Sequence, residues 1–373
     1  MKRTETLPDR SRNVAGITRS LSLHAPLRRT PQRVLRAMLE ALPEDSLPED
    51  PVAELERRMR GLIGTEAALL FPTGTMAQQV ALRIHAERRG RRTFAAHPQT
   101  HLEVWEEQGY AVVHGLRFRP VGDRHRLLQT ADLAGVADPL AALLLELPQR
   151  DIGGQLPSWD DLLAQIAWAR QRGAAVHLDG ARLWEAQPFY GRPHAQIAAL
   201  FDTVYVSLYK GLEGIRGAIL ASDARTIGEA AVWRQRLGGT VDDAWPLAAA
   251  ALVGLDTVAH RMPAFRDHAV AIAAALRADG VVHVVPDPPQ TPLFHIHVPA
   301  APEATEQAAQ EILREHGIQL FLRLRTSPHD GHCSFEVCVG ENAMEFTPDE
   351  VAALLRDLVH RADRAGADSR RLS

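Results

Sequence analysis

Of the 42 lysines and arginines in the chain, two are lysines, Lys2 and Lys210. A chain that uses arginine almost everywhere for positive charge keeps lysine where arginine cannot serve. Arginine is not deprotonated in proteins and forms no imine with a carbonyl, whereas a lysine amine does both. Lys2 lies in a terminal segment, while Lys210 follows the apolar run of Val204-Tyr205-Val206-Ser207-Leu208-Tyr209. One unit earlier, Val176-His177-Leu178-Asp179-Gly180-Ala181-Arg182 ends an apolar run on a carboxylate, with an arginine three residues later. In an open parallel sheet, ligands bind at the carboxyl ends of strands, where Asp179 would sit. Taken alone, Asp179 reads equally as a helix cap and Arg182 as a salt-bridge partner. Asp179 and Lys210, at the ends of neighbouring apolar runs, form a pair with specific chemistry. Pyridoxal phosphate (PLP) needs a lysine for its Schiff base and a carboxylate that keeps its pyridine nitrogen protonated, so that the ring draws electrons. Its phosphate needs donors. Thr73-Gly74-Thr75-Met76, after a short strand and at a helix start, offers backbone N–H groups, hydroxyls and a favourable dipole, and Ser207 adds a hydroxyl.

The elements that must position these residues alternate. Apolar runs at 67–71, 111–114, 143–147, 175–178, 203–207 and 217–221 read as strands, with helical periodicity between them, clearest at 159–172 and 184–190. That order predicts an α/β domain with a mainly parallel sheet. After a helical stretch at 247–276, strands are expected at 281–285, 292–298, 319–324 and 334–339, with helices at 305–316 and 348–362. We therefore expect an N-terminal arm over 1–30, a large domain over 31–261, a small α+β domain over 262–363 and a mobile tail over 364–373.

At 373 residues the chain can bury a sizeable core, and 46% hydrophobic against 24% charged residues describes an ordinary globular protein. A net charge of −4 provides no basic footprint for nucleic acid, and no apolar run is long enough for a membrane span. The first residues lack the apolar stretch of a secretory leader, and Cys333 and Cys338 read as unpaired thiols, so a cytoplasmic location is expected. Among 17 histidines, His295 and His297 share one face of a strand, but no acidic or cysteine pattern completes a metal site. They read as surface or interface histidines. Trp105 and Trp184 read as core or interface aromatics.

The chain resembles, over residues 17–355, the threonine aldolase/β-eliminating lyase family of fold-type I PLP-dependent enzymes. The stretches that carry the resemblance are Glu49-Asp50-Pro51, FPTGTMAQQ at 71–79, Thr100-His101 with Glu106, HLDGAR at 177–182, SLYKG at 207–211 and RLGG at 236–239. The resemblance implies that His101 stacks on the cofactor ring and that Asp179 pairs with its nitrogen. It further implies that Arg182 helps bind cofactor or substrate, that Lys210 carries the Schiff base, and that Gly74 and Thr75, with Met76 beside them, bind phosphate. The fold implied is the aspartate-aminotransferase-like one, in a homodimer or homotetramer with the active site at the interface. The implied reaction is Cα–Cβ cleavage of a β-hydroxy-α-amino acid, giving glycine and an aldehyde. A β-elimination, another reaction on a different amino compound, and a catalytically silent PLP-fold protein are the alternatives.

The departures fall on the substrate side. The family's Asn after the position of Glu146 is Leu147, the loop before it has no histidine, and the GGGMRQ run becomes Gly238-Gly239-Thr240-Val241-Asp242-Asp243. Glu336 stands where the family has a carboxylate-binding arginine. With Glu336 there, a substrate carboxylate meets repulsion unless Arg323 or Arg325 compensates, and weak threonine cleavage is expected. Candidate substrate contacts are therefore Arg182, Glu106, Arg323 and Arg325.

Overall fold

The computed structural model describes residues 16–22, 30–327 and 331–372. The expected arm over 1–30 lies outside the described residues except at 16–22 and Thr30. The first strand is β1 (Arg19–Ser20). Seven strands then build a central sheet: β2 (Ala67–Phe71), β3 (Thr93–Ala96), β4 (Arg117–Pro120), β5 (Leu140–Glu146), β6 (Ala175–Gly180), β7 (Thr203–Ser207) and β8 (Ala218–Ser222). Five more follow: β9 (His283–Val285), β10 (Leu293–Val298), β11 (Ile318–Gln319), β12 (Arg325–Thr326) and β13 (Cys333–Cys338).

The central sheet runs β2-β8-β7-β6-β5-β3-β4. Only β8 opposes the others, being antiparallel to both β2 and β7. β6 and β7 are buried along their whole length, because helices cover both faces of a parallel sheet. The helix Gly74–Arg89 packs across β5, β6, β7 and β8, and the helix Trp159–Gln171 packs on β5 and β6. A mainly parallel α/β sheet with a smaller C-terminal α+β unit is the architecture expected from the sequence.

Two strand expectations are corrected. Residues 111–114 are not a strand: the helix Gly109–Val112 occupies that place, with Val112 and Val113 exposed. The residue that packs there is Tyr110, edge-on to Phe94 at 5.1 Å between centroids. The strand comes later, as the charged edge β4, whose Arg-Phe-Arg-Pro sequence hides the apolar alternation. Residues 319–324 likewise hold only the end of β11; the chain then leaves the sheet and exposes Leu322.

The small sheet is antiparallel, in the order β12-β13-β10-β9. On it and around it pack the helices Met262–Asp279, Pro302–His316 and Pro348–Leu372. The last of these continues through residues that the sequence reading leaves as a tail. The described part of the N-terminal segment joins this unit too: β1 pairs in parallel with β11, and Arg19 bridges to Glu350 and lies over the Phe346 ring at 3.8 Å. His295 and His297 are buried, at 5% and 7% exposure, and not surface residues. They point inward because the face of β10 that carries them is covered. Trp184 is core, whereas Trp105 is 36% exposed.

Candidate active site

Parallel register brings three side chains to one end of the sheet. Glu146 on β5 pairs with Asp179 on β6, which pairs with Tyr205 on β7. Ser207 closes β7, and Lys210 follows in the turn. Asp179 is buried, and its Oδ1 accepts the Ala181 N–H at 3.0 Å. Burial pushes its carboxyl up, and Lys210 and His101 pull it back. Burial, then the nearby Arg182 guanidinium, lower the Lys210 amine to about 8, against the pull of Asp179. Glu146 goes the other way. Burial, with Asp179 and Asp151 close by, raises it well above the carboxylate range, while the Arg150 N–H that donates to its Oε1 pulls it back.

The helix Gly74–Arg89 starts beside this row. Thr73 caps it, its Oγ1 accepting the Met76 N–H at 3.2 Å. Gly74 sits against the Tyr205 phenol so closely that a Cβ would overlap the ring. The glycine is thus required for the helix N-terminus to reach the strand ends. Close to it, the hydroxyl of Ser207 is buried without a hydrogen-bond partner, and so is that of Thr100, beside His101. Free N-terminal amides, a buried unpaired hydroxyl, and a Lys–Asp pair within electrostatic reach of each other fit a phosphorylated pyridine aldehyde.

His101 begins the short helix His101–Val104. Its Nδ1 lies 3.0 Å from Glu106 Oε1, and the Gln79 side-chain amide donates to Glu106 Oε2 at 3.0 Å. The Glu106 side chain is buried. Gln79 comes from the helix that Gly74 opens, so one element both offers the anion site and steers the histidine.

Arg182 is buried, with Nη1 2.8 and 3.1 Å from the two Glu185 oxygens and its Nε without a partner. Glu336 is not an open charge. Arg150 holds it through two bonds, Nε at 2.9 Å and Nη2 at 3.0 Å, and Arg325 Nη2 adds a third at 3.3 Å. Burial works against the charge, but Arg150, Arg182 and Arg325 together keep Glu336 well below the usual carboxylate range. Arg325 is further tied to Asp151 at 2.7 Å, and Asp151 accepts from Trp105 Nε1 at 2.7 Å. Arg323 lies over the Trp105 ring, 4.4 Å from its centroid.

The structure places Lys210, Asp179, His101, Glu106 and Arg182 within electrostatic reach of one another, with Ser207 at the end of β7 and Gly74, Thr75 and Met76 in the first turn of the helix beside them. Sequence reasoning missed Arg150 and Asp151, which follow the carboxyl end of β5. The strand-end rule that picked out Asp179 applies equally there. Among the described residues, no cluster of three or more histidines, cysteines or acids is placed to hold a metal, and no helix is long and apolar enough to cross a membrane.

The sheet order and the Lys–Asp pair define a PLP-dependent fold-type I protein. The chain belongs to the beta-eliminating lyase family, whose model matches residues 30–301, and it is a PLP-dependent lyase. It is 28% identical to low-specificity L-threonine aldolase 1 of Arabidopsis thaliana, over 82% of this chain and 88% of that one. It is 31% identical to the low specificity L-threonine aldolase of Escherichia coli K12, over 67% of this chain and 78% of that one. A solved structure from Listeria monocytogenes, described as a candidate L-allo-threonine aldolase, is 32% identical and superposes with a TM-score of 0.86, covering 93% of this chain and 97% of the other.

Proposed function

We propose that the protein breaks the Cα–Cβ bond of a small β-hydroxy-α-amino acid, as in the conversion of L-threonine to glycine and acetaldehyde. The observation that carries this reading is the Gln79–Glu106–His101 chain beside Asp179 and Lys210. A carboxylate only accepts hydrogen bonds, so with Gln79 donating to one oxygen the His101 Nδ1–H donates to the other. That leaves Nε2 as the basic nitrogen of the neutral ring, fixed in direction. Retro-aldol cleavage needs a base at the β-hydroxyl, whereas β-elimination needs one at Cα, which a lysine amine supplies.

Gly74, Thr75, Met76 and Ser207 would hold the cofactor phosphate, Asp179 its ring nitrogen, His101 its face and Lys210 its aldehyde carbon. Bound PLP supplies an electron sink for the pair released at Cα. Arg182, with its free Nε, receives the substrate carboxylate. His101 Nε2 takes the hydroxyl proton, and Lys210 Nζ, with an amine lowered to about 8, returns a proton to Cα. Glu106 is a positioning residue for His101.

Elimination on a different amino compound is the second reading. It is favoured by the commitment of Arg150 and Arg325 to Glu336, which reduces the cations free to hold an α-carboxylate. The products of L-threonine decide between the two. Glycine with acetaldehyde, both absent in Lys210→Ala, is the expected result; ammonia with 2-oxobutanoate overturns the aldolase reading. The same proposal takes a homodimer or homotetramer with the site at the interface, supported by the exposed Leu35, Leu39 and Leu47, and a cytoplasmic setting, supported by two unpaired cysteines.

A further inference from the structure

Beyond the groups that serve the reacting centre, a second set of charges runs outward from it. The Trp105 N–H returns to the His101 carbonyl at 2.9 Å, so the two side chains stand on one side of a single helical turn, about 6 Å apart along its axis. The indole is locked: its Nε1 donates to Asp151, which is itself held by Arg325. Two guanidinium groups approach its ring, Arg150 at 5.8 Å and Arg323 at 4.4 Å. Arg150 connects this patch to the reaction centre, because it is close enough to depress the Lys210 amine.

The charges in the patch do not cancel. Arg150, Arg323 and Arg325 face two carboxylates, Asp151 and Glu336. Arg150 and Arg325 make every ion pair those two carboxylates form with arginine, and Arg323 makes no hydrogen bond or ion pair among the described residues. Burial, then Arg325 and Arg150, press against its charge, while Glu336 and Asp151 favour it from a distance without pairing directly with it. Stacking on the indole fixes where it stands while leaving its N–H groups free. The α-carboxylate has its own candidate cation in Arg182, whose buried Nε is without a partner.

We propose that Arg323, presented on the face of Trp105, docks an anionic group at the far end of the substrate side chain, so that the preferred substrates are β-hydroxy-α-amino acids whose side chain ends in a carboxylate. One surplus cation matches one negative charge, and the planar guanidinium suits a carboxylate geometrically. This rests on the aldolase reading for the reaction, though not for the binding. With 3-hydroxyglutamate the Cα–Cβ bond breaks, the hydroxyl proton leaves to the base, a proton returns to Cα, and the products are glycine and 3-oxopropanoate. Nothing is oxidised or reduced.

The test separates binding from turnover. L-Glutamate and L-norvaline lack the β-hydroxyl, and their binding to the holoenzyme is measured by calorimetry. Wild type is expected to hold L-glutamate about 10-fold or more tighter, a single charge-assisted contact. Arg323→Gln is expected to abolish that preference, and Arg323→Lys to keep part of it. Turnover of 3-hydroxyglutamate and 3-hydroxynorvaline is then compared, with the loss in Arg323→Gln expected in KM for the dicarboxylic substrate. Equal affinity for the two ligands, no measurable binding of either, or a preference that survives Arg323→Gln overturns the proposal. A preference for L-glutamate without aldehyde release upholds the subsite and refutes the aldolase reading. Aldehyde released equally well from both hydroxy acids does the reverse.

Discussion

Lys210 shows how far the environment of one residue sets its chemistry. An unhindered lysine titrates near 10.4. Here burial and the Arg182 charge bring the amine to about 8, with Arg150 adding to the effect. The neutral amine is the nucleophile, so the rate at which apoprotein takes up PLP covalently should rise about tenfold per pH unit below pH ~8 and level off above it. Absorbance stopped-flow across pH 6–10 measures this, and a rate still climbing at pH 10 would contradict the electrostatic account. The lysine itself stood out in the sequence, as the one internal lysine among arginines. Its lowered basicity did not, because Arg182 and Arg150 come from different strand ends. Arg150 was missed for a related reason: nothing in Leu147-Pro148-Gln149-Arg150 announces that its partner is Glu336, far along the chain.

The helix Gly74–Arg89 is the element on which the proposed site depends most, since it carries the amides proposed for the phosphate at one end and Gln79 in its second turn. Thr73 is its cap. Thr73→Ala should cost about 1 kcal/mol of stability and weaken PLP affinity, with Thr73→Ser restoring both. Thermal unfolding and PLP titration read the two effects, and an unchanged Tm with full PLP affinity would show that the cap is dispensable. Elements of this kind were legible because their signals are local: a Thr-Gly-Thr start, a long apolar run for β5, β6 or β7. Residues 111–114 were misread because Val112 and Val113 are apolar yet exposed, and β4 escaped because an edge strand need not be apolar.

At the scale of the molecule, the Arg150–Glu336 pair joins the large sheet's strand ends to β13 of the small one. Both side chains are about one-fifth exposed, so removing one partner leaves a largely buried charge. Glu336→Gln should destabilise by roughly 3 kcal/mol, whereas the double change Arg150→Met with Glu336→Leu should recover much of that. Denaturant unfolding of wild type, Arg150→Met, Glu336→Leu and the double variant measures the coupling, and strictly additive effects would show that the bridge contributes nothing. The sign of the pH dependence follows from the direction of the Glu336 shift. Its folded pKa lies below the unfolded value, so the contribution is complete above the ordinary glutamate pKa of about 4.3 and disappears as pH falls through the folded value.

The sequence by itself determined the cofactor chemistry and the strand–helix order, since these rest on residue types and short-range periodicity: a lysine retained against arginine, an aspartate ending an apolar run, a glycine at a helix start. Tertiary structure alone decided which charges meet. Glu336, read from the sequence as a repulsion toward substrate, is enclosed by Arg150 and Arg325; of the two arginines read as able to compensate, Arg325 binds Glu336 and Arg323 stands apart on Trp105. Coulomb energy depends on separation in space and on burial, and neither is written in the order of residues along a chain.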